Sequence, residues 1–133
     1  MDADGLHDFA TRYTAAWCSQ NPSNVAAFFE EKGSIAVNGV ISEGRGAITA
    51  MVSGFMTAFP DLRLSMDRLD ETADQIRYHW TFCGSNTGPD GTGKRVNFSG
   101  FEEWIFSDNG LIEKSLGHFN ANEYQQQLER GSD

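Results

Sequence analysis

The sequence predicts an α+β domain in which a curved antiparallel sheet forms a cone-like half barrel, covered by three N-terminal helices, with a short C-terminal helix. Three observations predict it. Apolar residues recur with helical spacing through the first third of the chain. From about Leu62 the period changes to two and holds through several long strands. Hairpin signals join those strands, so they pair antiparallel. Long twisted strands of this kind curl, and helices over the concave side leave a cone with a pocket in it.

The first helix carries Leu6, Phe9, Ala10, Tyr13, Ala16 and Trp17 in one stripe. Asn21-Pro22 stops it and opens a second, with Asn21 as N-cap and Pro22 at the first position, where no backbone donor is needed. Val25, Phe28 and Phe29 are the buried face of that helix, and Gly33 ends it. Ser34 to Asn38 reads as a short strand, and Gly39 and Gly44 bracket a second extended piece. The third helix runs from about Gly46 to Phe59 on the stripe Ile48, Met51, Val52, Phe55 and Phe59, before Pro60.

Alternation then takes over. Leu62, Leu64 and Met66 share a face, Asp70 to Asp74 turn, and Ile76, Tyr78, Trp80 and Phe82 oppose Arg77, His79, Thr81 and Cys83. A glycine-rich loop, GSNTGPDGTGK, leads into RVNFSGFEEWIF, one face of which carries Val96, Phe98, Gly100, Glu102, Trp104 and Phe106. Asp108-Asn109-Gly110 signals a hairpin, because Asn-Gly tolerates the positive φ of a type I′ turn. The last strand runs from Leu111 to about Phe119. Asn120 to Glu123 resembles a capping box that opens a helix with Tyr124 and Leu128 on one side.

With 133 residues, 39% hydrophobic and 12% aromatic, residues 1–133 are expected to form one domain with a real core. No apolar run approaches a membrane span, and the acidic start MDADGLHDF is unlike a secretory signal. The net charge of −9 disfavours nucleic acid and reads as solubility. Cys18 and Cys83 are isolated, as reduced packing cysteines of a cytoplasmic protein are. Asn97-Phe98-Ser99 matches a glycosylation sequon by chance in that setting. No cluster of His, Asp or Glu has metal-ligand spacing, so no metal and no cofactor are expected. GPDGTGK lacks the Ser or Thr of a phosphate loop and precedes a strand, so its glycines are expected to supply positive φ in a hairpin loop.

GRGAI (44–48), AFPDL (58–62), HWTFCGSNTG (79–88), TGKRVNFSGFEEWIF (92–106), DNGLIEKSLGHFN (108–120) and QQQLE (125–129) together resemble the SnoaL-like polyketide cyclase branch of the nuclear transport factor 2-like, or ketosteroid isomerase-like, superfamily. The resemblance covers nearly the whole chain. It implies a cone-shaped α+β barrel, a hydrophobic pocket and a homodimer through the outer sheet face. It also implies cofactor-independent acid/base chemistry of cyclase, isomerase or hydrolase type on a small hydrophobic carbonyl compound, or else a non-catalytic small-molecule-binding or dimeric interaction module. Where the cyclase branch has an Asp after F-x-G-x, this chain has Glu102, and Asn86 stands where a His often follows. Asn120 replaces a terminal Asp, with His118 two residues earlier.

Glu102 is the foremost acid/base candidate, because an apolar pocket raises a carboxyl pKa toward the range useful for proton transfer. The alternative is structural pairing with a Lys, an Arg or a backbone donor, or a solvated edge marked by Glu103. His118, placed by alternation on the face of Leu116 and Ile112, could act as a base or carbonyl donor, or be a satisfied structural group. Asn86 could donate to an oxyanion or make local turns. Tyr13, Trp17, Phe55, Phe59, Trp80 and Trp104 are the candidate walls for a small hydrophobic ligand. His79 belongs to the other face, where Phe101, Ile105 and Phe119 suggest a partner surface, and His7 belongs to solvent.

Overall fold

A computed structural model describes residues 2–73 and 75–132, so Asp74 of the expected polar turn lies outside the described residues. The chain runs α1 (Ala3–Trp17), α2 (Pro22–Ala26), β1 (Phe29–Val37), β2 (Val40–Glu43), α3 (Arg45–Ala58), β3 (Arg63–Glu71), β4 (Ile76–Ser85), β5 (Arg95–Phe106), β6 (Ile112–Phe119) and α4 (Ala121–Arg130). The strands form one curved, unclosed sheet in the order β2-β1-β6-β5-β4-β3. Neighbours are antiparallel except β1 and β6, which run parallel.

Helix α1 starts where Asp2 accepts a 2.7 Å bond from the Gly5 N–H, satisfying one of the free donors of the first turn. Its whole apolar stripe is buried. Phe9 and Tyr13 meet Trp104 edge to face, and Tyr13 meets Tyr78 likewise, so α1 lies over the start of β4 and the end of β5. Asn21 caps α2 and Pro22 opens it, but the helix ends at Ala26, and Phe29 already belongs to β1. Gly33 is therefore inside a strand and caps nothing. A Cβ there would stand 2.9 Å from the Ile112 carbonyl oxygen, at a register shift between β1 and β6, so close backbone approach demands the glycine.

The positive-φ pair of the fold is Asn38-Gly39, at 49° and 87°, which closes the β1–β2 hairpin as a type I′ turn does. The Asp108-Asn109-Gly110 hairpin also forms, but only Gly110 has positive φ, and its N–H bonds to the Ser107 carbonyl at 3.1 Å. That is a type I turn followed by a left-handed glycine, not the expected type I′. In the loop before β5 only Gly93 among the glycines has positive φ. Gly88 and Gly91 are needed for another reason: a Cβ would fall 2.0 Å from the Thr57 carbonyl oxygen and 2.2 Å from that of Asn86, respectively.

Strands β4 and β5 pair without interruption from Ile76↔Trp104 to Ser85↔Arg95, so their alternation is preserved and Tyr78, Trp80, Phe82, Val96, Phe98, Glu102 and Trp104 all face the core. Strand β6 carries one extra residue: Ile105 pairs with Lys114 but Phe106 with Ile112, leaving Glu113 as a bulge. The bulge reverses the phase of everything after it. Ser115, Gly117 and Phe119 turn inward, while His118 turns outward, off the face of Ile112 and opposite the expectation for both His118 and Phe119. Helix α4, capped by Asn120 on the Glu123 N–H at 3.0 Å, sets Tyr124 on Phe98 and Phe119 and closes that end of the half barrel. No helix among the described residues is long and apolar enough to cross a membrane.

Candidate active site

The carboxyl of Glu102 is buried at the centre of the concave face, with the residue only 5% exposed. Uninterrupted β4–β5 pairing sends its side chain inward, and Gly117, directly opposite on β6, leaves the space beside its Cγ open. Three neutral donors surround it. Tyr13 on α1 donates its hydroxyl hydrogen to both oxygens, at 3.0 Å to Oε1 and 3.2 Å to Oε2. Trp104 Nε1–H, two residues along β5, donates to Oε1 at 3.1 Å. Ser115, brought inward by the β6 bulge and diagonally across the ladder, donates to Oε1 at 2.7 Å. The donors converge on Oε1, so Oε2 has only the longer arm of a shared hydrogen. Among the described ion pairs no lysine, arginine or histidine reaches Glu102.

Burial pushes the Glu102 carboxyl pKa up, because a charge is poorly solvated there, and the donors from Ser115, Trp104 and Tyr13 pull partly back. Burial, reinforced by the charge of Glu102, raises the Tyr13 hydroxyl well above its ordinary value. Tyr78 is likewise raised by burial, and its hydroxyl is held by Thr14 on α1 at 2.5 Å. Both phenols therefore remain protonated donors. The ring of Tyr78 stacks on Trp104 at 4.8 Å and 13°, which fixes the indole that donates to Glu102.

Glu102 also forms the polar end of a cavity of about 50 Å³, room for a few water molecules. The rest of its lining is apolar, from Trp17, Met51 and Phe55 on the helices to Trp80, Phe98 and Phe119 on the sheet. Gly100 allows this shape, since a Cβ there would strike the Trp80 ring at 2.6 Å. Of the expected walls, Trp17, Phe55 and Trp80 line the cavity. Tyr13 and Trp104 touch the Glu102 carboxyl instead, and Phe59 packs into the core against Phe82.

The other two expected catalytic residues are not brought to Glu102. Asn86 donates to the Ala58 carbonyl at 3.2 Å and accepts from the Thr92 N–H at 2.7 Å, so both ends of its amide tie the glycine-rich loop to the end of α3. His118 lies on the outer face, 3.2 Å from Glu103 and against the Phe101 ring. Sequence reasoning missed Ser115, because alternation counted through the bulge assigns it to the wrong face. His79, on the outer face as expected, pairs with Asp70 at 3.0 Å. No group of His, Cys, Asp and Glu among the described residues has the arrangement of a metal site.

A family model described as SnoaL-like polyketide cyclase matches residues 7–128. A search of curated proteins found no significant match. Among solved structures, TsrD from Streptomyces laurentii is similar with a TM-score of 0.82 at 18% identity, over 96% of this chain and 97% of that one. A hypothetical protein of ketosteroid isomerase-like fold from Catenulispora acidiphila, solved in complex with trimethylamine, gives 0.79 at 14% identity, over 92% of each chain. SalBIII, described as an epoxide hydrolase/cyclase-like enzyme in pyran ring formation in polyether salinomycin, gives 0.78 at 15% identity, over 92% of this chain and 95% of that one. At these identities the likeness establishes the fold alone.

Proposed function

The chain belongs to the SnoaL-like polyketide cyclase family, and on that premise we propose that it performs acid–base chemistry with its own side chains on a small hydrophobic carbonyl, epoxide or related oxygen compound, Glu102 moving the proton. One observation carries this: a carboxyl on the wall of an apolar cavity, held by three neutral donors and, among the described residues, paired with no cation. Burial favours the neutral acid and the donors favour the anion, so the two protonation states are drawn closer in energy than burial alone would leave them. Oε2, the less encumbered oxygen, is the atom that takes and returns the proton. A carbon acid beside a carbonyl would give its proton to Oε2, leaving the C–H electron pair in an enolate, and recover it at another position. The description of SalBIII as epoxide hydrolase/cyclase-like supports this class of chemistry. A substrate larger than a few atoms enters by displacing Met51 and Phe55, which are only half-buried.

The test compares wild type with Glu102→Gln on a panel of cyclic ketones and epoxides. We expect turnover to fall by about 10²- to 10⁴-fold, and equal turnover would remove Glu102 from the mechanism. A second reading, a non-catalytic binding module, draws on the absence, among the described residues, of a second titratable acid or base beside Glu102 other than the phenols. Tight ligand capture with no turnover by either form supports it.

We also propose that two copies pair through the outer sheet face, where Ile105 is 50% exposed on the same face as Phe101. Light scattering that returns the mass of one chain at high concentration removes the homodimer. We place the protein in the cytoplasm, which cell fractionation tests.

A further inference from the structure

Among the described residues one buried polar side-chain atom has no hydrogen-bond partner, and it belongs to a cavity residue: Nε1 of Trp17. Nearly all buried polar groups in folded proteins are paired, so an orphan needs a reason. An indole N–H can only donate, so only an acceptor satisfies it. The ring sits at the last residue of α1, 7% exposed, and meets Phe55 of α3 edge to face at 6.3 Å. The nearest polar group is the Tyr13 hydroxyl one turn earlier: the indole comes close enough to its oxygen to pull that pKa down, yet is not placed to complete a hydrogen bond. The Tyr13 oxygen gives its hydrogen to Glu102 and does not lie where the indole N–H could donate to it. Apart from the Glu102 carboxyl, every side chain lining the cavity is apolar or aromatic, with no oxygen to offer the indole.

We propose that Trp17 Nε1–H is the group that holds the oxygen of the ligand, a carbonyl, epoxide or ether oxygen, and so fixes its orientation relative to Glu102. Trp17 then has the part the sequence offered to Asn86 and His118, neither of which reaches the cavity. It can have that part only if the cavity is the substrate site proposed above. It does not depend on Glu102 moving a proton. The N–H has no open surface in the empty cavity, so ligand entry shifts the side chains that cover it, in keeping with the small volume.

The experiment uses two probes of one shape, cyclohexanone and methylenecyclohexane, in which a CH₂ replaces the oxygen. The chain has three tryptophans, so ¹⁵N-labelled protein gives three indole N–H signals, assigned through space. The ketone should bind about tenfold tighter than the alkene, the size expected of one hydrogen bond. The Trp17 signal should move downfield with the ketone and stay with the alkene. Trp17→Phe keeps an aromatic ring and deletes the donor, so the preference should shrink to about twofold or less. Binding of the two probes is read without turnover, so a failed proton-transfer role and a failed Trp17 role give different results. Equal movement of the Trp17 signal with both probes, no movement with either, or an undiminished preference in Trp17→Phe overturns the assignment. Should Trp17→Phe fail to fold, the wild-type indole signal decides by itself.

Discussion

Glu102 and Glu103 are consecutive residues of β5 that end on opposite faces of one sheet. Glu102 goes inward, loses water, and is met by a phenol, an indole and a serine hydroxyl, all neutral. Glu103 goes outward and meets charge or potential charge, Arg77 at 3.7 Å and His118 at 3.2 Å. The same functional group is thus offered two kinds of partner. A cation stabilises the anion and locks the group in that state, whereas neutral donors in an apolar wall leave both protonation states accessible. The lesson is that a carboxyl is read by its partners and its face, and a step of one residue along a strand changes both.

The largest expected effect breaks the pair apart by activity. Glu102→Gln should lower turnover of the responsive substrate by about 10²- to 10⁴-fold, with near-native circular dichroism. Glu103→Gln should leave turnover within about twofold, since its partners are on the far side of the sheet. Steady-state kinetics on both variants decides, and a comparable loss in Glu103→Gln would end the distinction between the faces.

Next come the donors. Ser115→Ala and Tyr13→Phe each leave a buried carboxyl oxygen short of a partner, and each should cost about 1–3 kcal/mol in chemical denaturation. Both donors favour the anion, so removing either should also move the acidic limb of the pH–rate profile upward. Loss of stability with an unmoved profile would mean that these residues only fill space.

What the sequence made legible follows the ladder. The faces of β4 and β5 could be read because pairing there is uninterrupted, and Glu102 stood out as the one charge in an apolar register. The face of β6 could not, because the bulge at Glu113 is invisible to a count by twos; it hid Ser115 and sent His118 to solvent. The start of β1 was masked by Phe28 and Phe29, which continue the helical spacing of Val25 although α2 stops after five residues. Asn86 reads as a polar donor near a pocket, but both ends of its amide are used by loop backbone that only the folded chain brings to it. Trp17 was legible as a wall residue of a helical stripe. That its N–H would go unpaired depends on the placement of every neighbouring acceptor, which no spacing encodes.

A smaller effect separates two carboxyls by the sign of their pH dependence. The Glu102 pKa is raised from 4.5 by burial, so the folded protein holds a proton longer than the unfolded chain. Its contribution therefore becomes less favourable as pH rises from about that value through the folded pKa. Glu102→Gln should gain on wild type in stability across that rise. Asp61 is lowered from 3.8, chiefly because it accepts the Ser85 N–H at 2.7 Å. Its stabilisation is present above that value and is lost as pH falls through the folded pKa, so Asp61→Asn should converge on wild type in acid. Denaturation curves at a series of pH values would show the two differences running in opposite directions, and parallel trends would contradict the assignment of Glu102 to an apolar site where burial outweighs its donors.

The smallest effect is expected at His118. Its ring faces solvent, lies 4.9 Å from the Phe101 ring, and shares Glu103 with Arg77. An exposed pair of this kind contributes about 0–1 kcal/mol and is screened by salt. His118→Ala should therefore change stability by less than about 1 kcal/mol, with part of that small difference vanishing at high salt, and should leave turnover unchanged. Because Phe101 and Ile105 share its face, the same variant can alter the mass seen by light scattering without touching the chemistry. A drop in turnover that tracks the loss of a dimer would show that the outer face supports the inner one through assembly. A drop in turnover with the mass unchanged would place His118 in the mechanism by a route the β6 register forbids, and the division between the two faces would have to be abandoned.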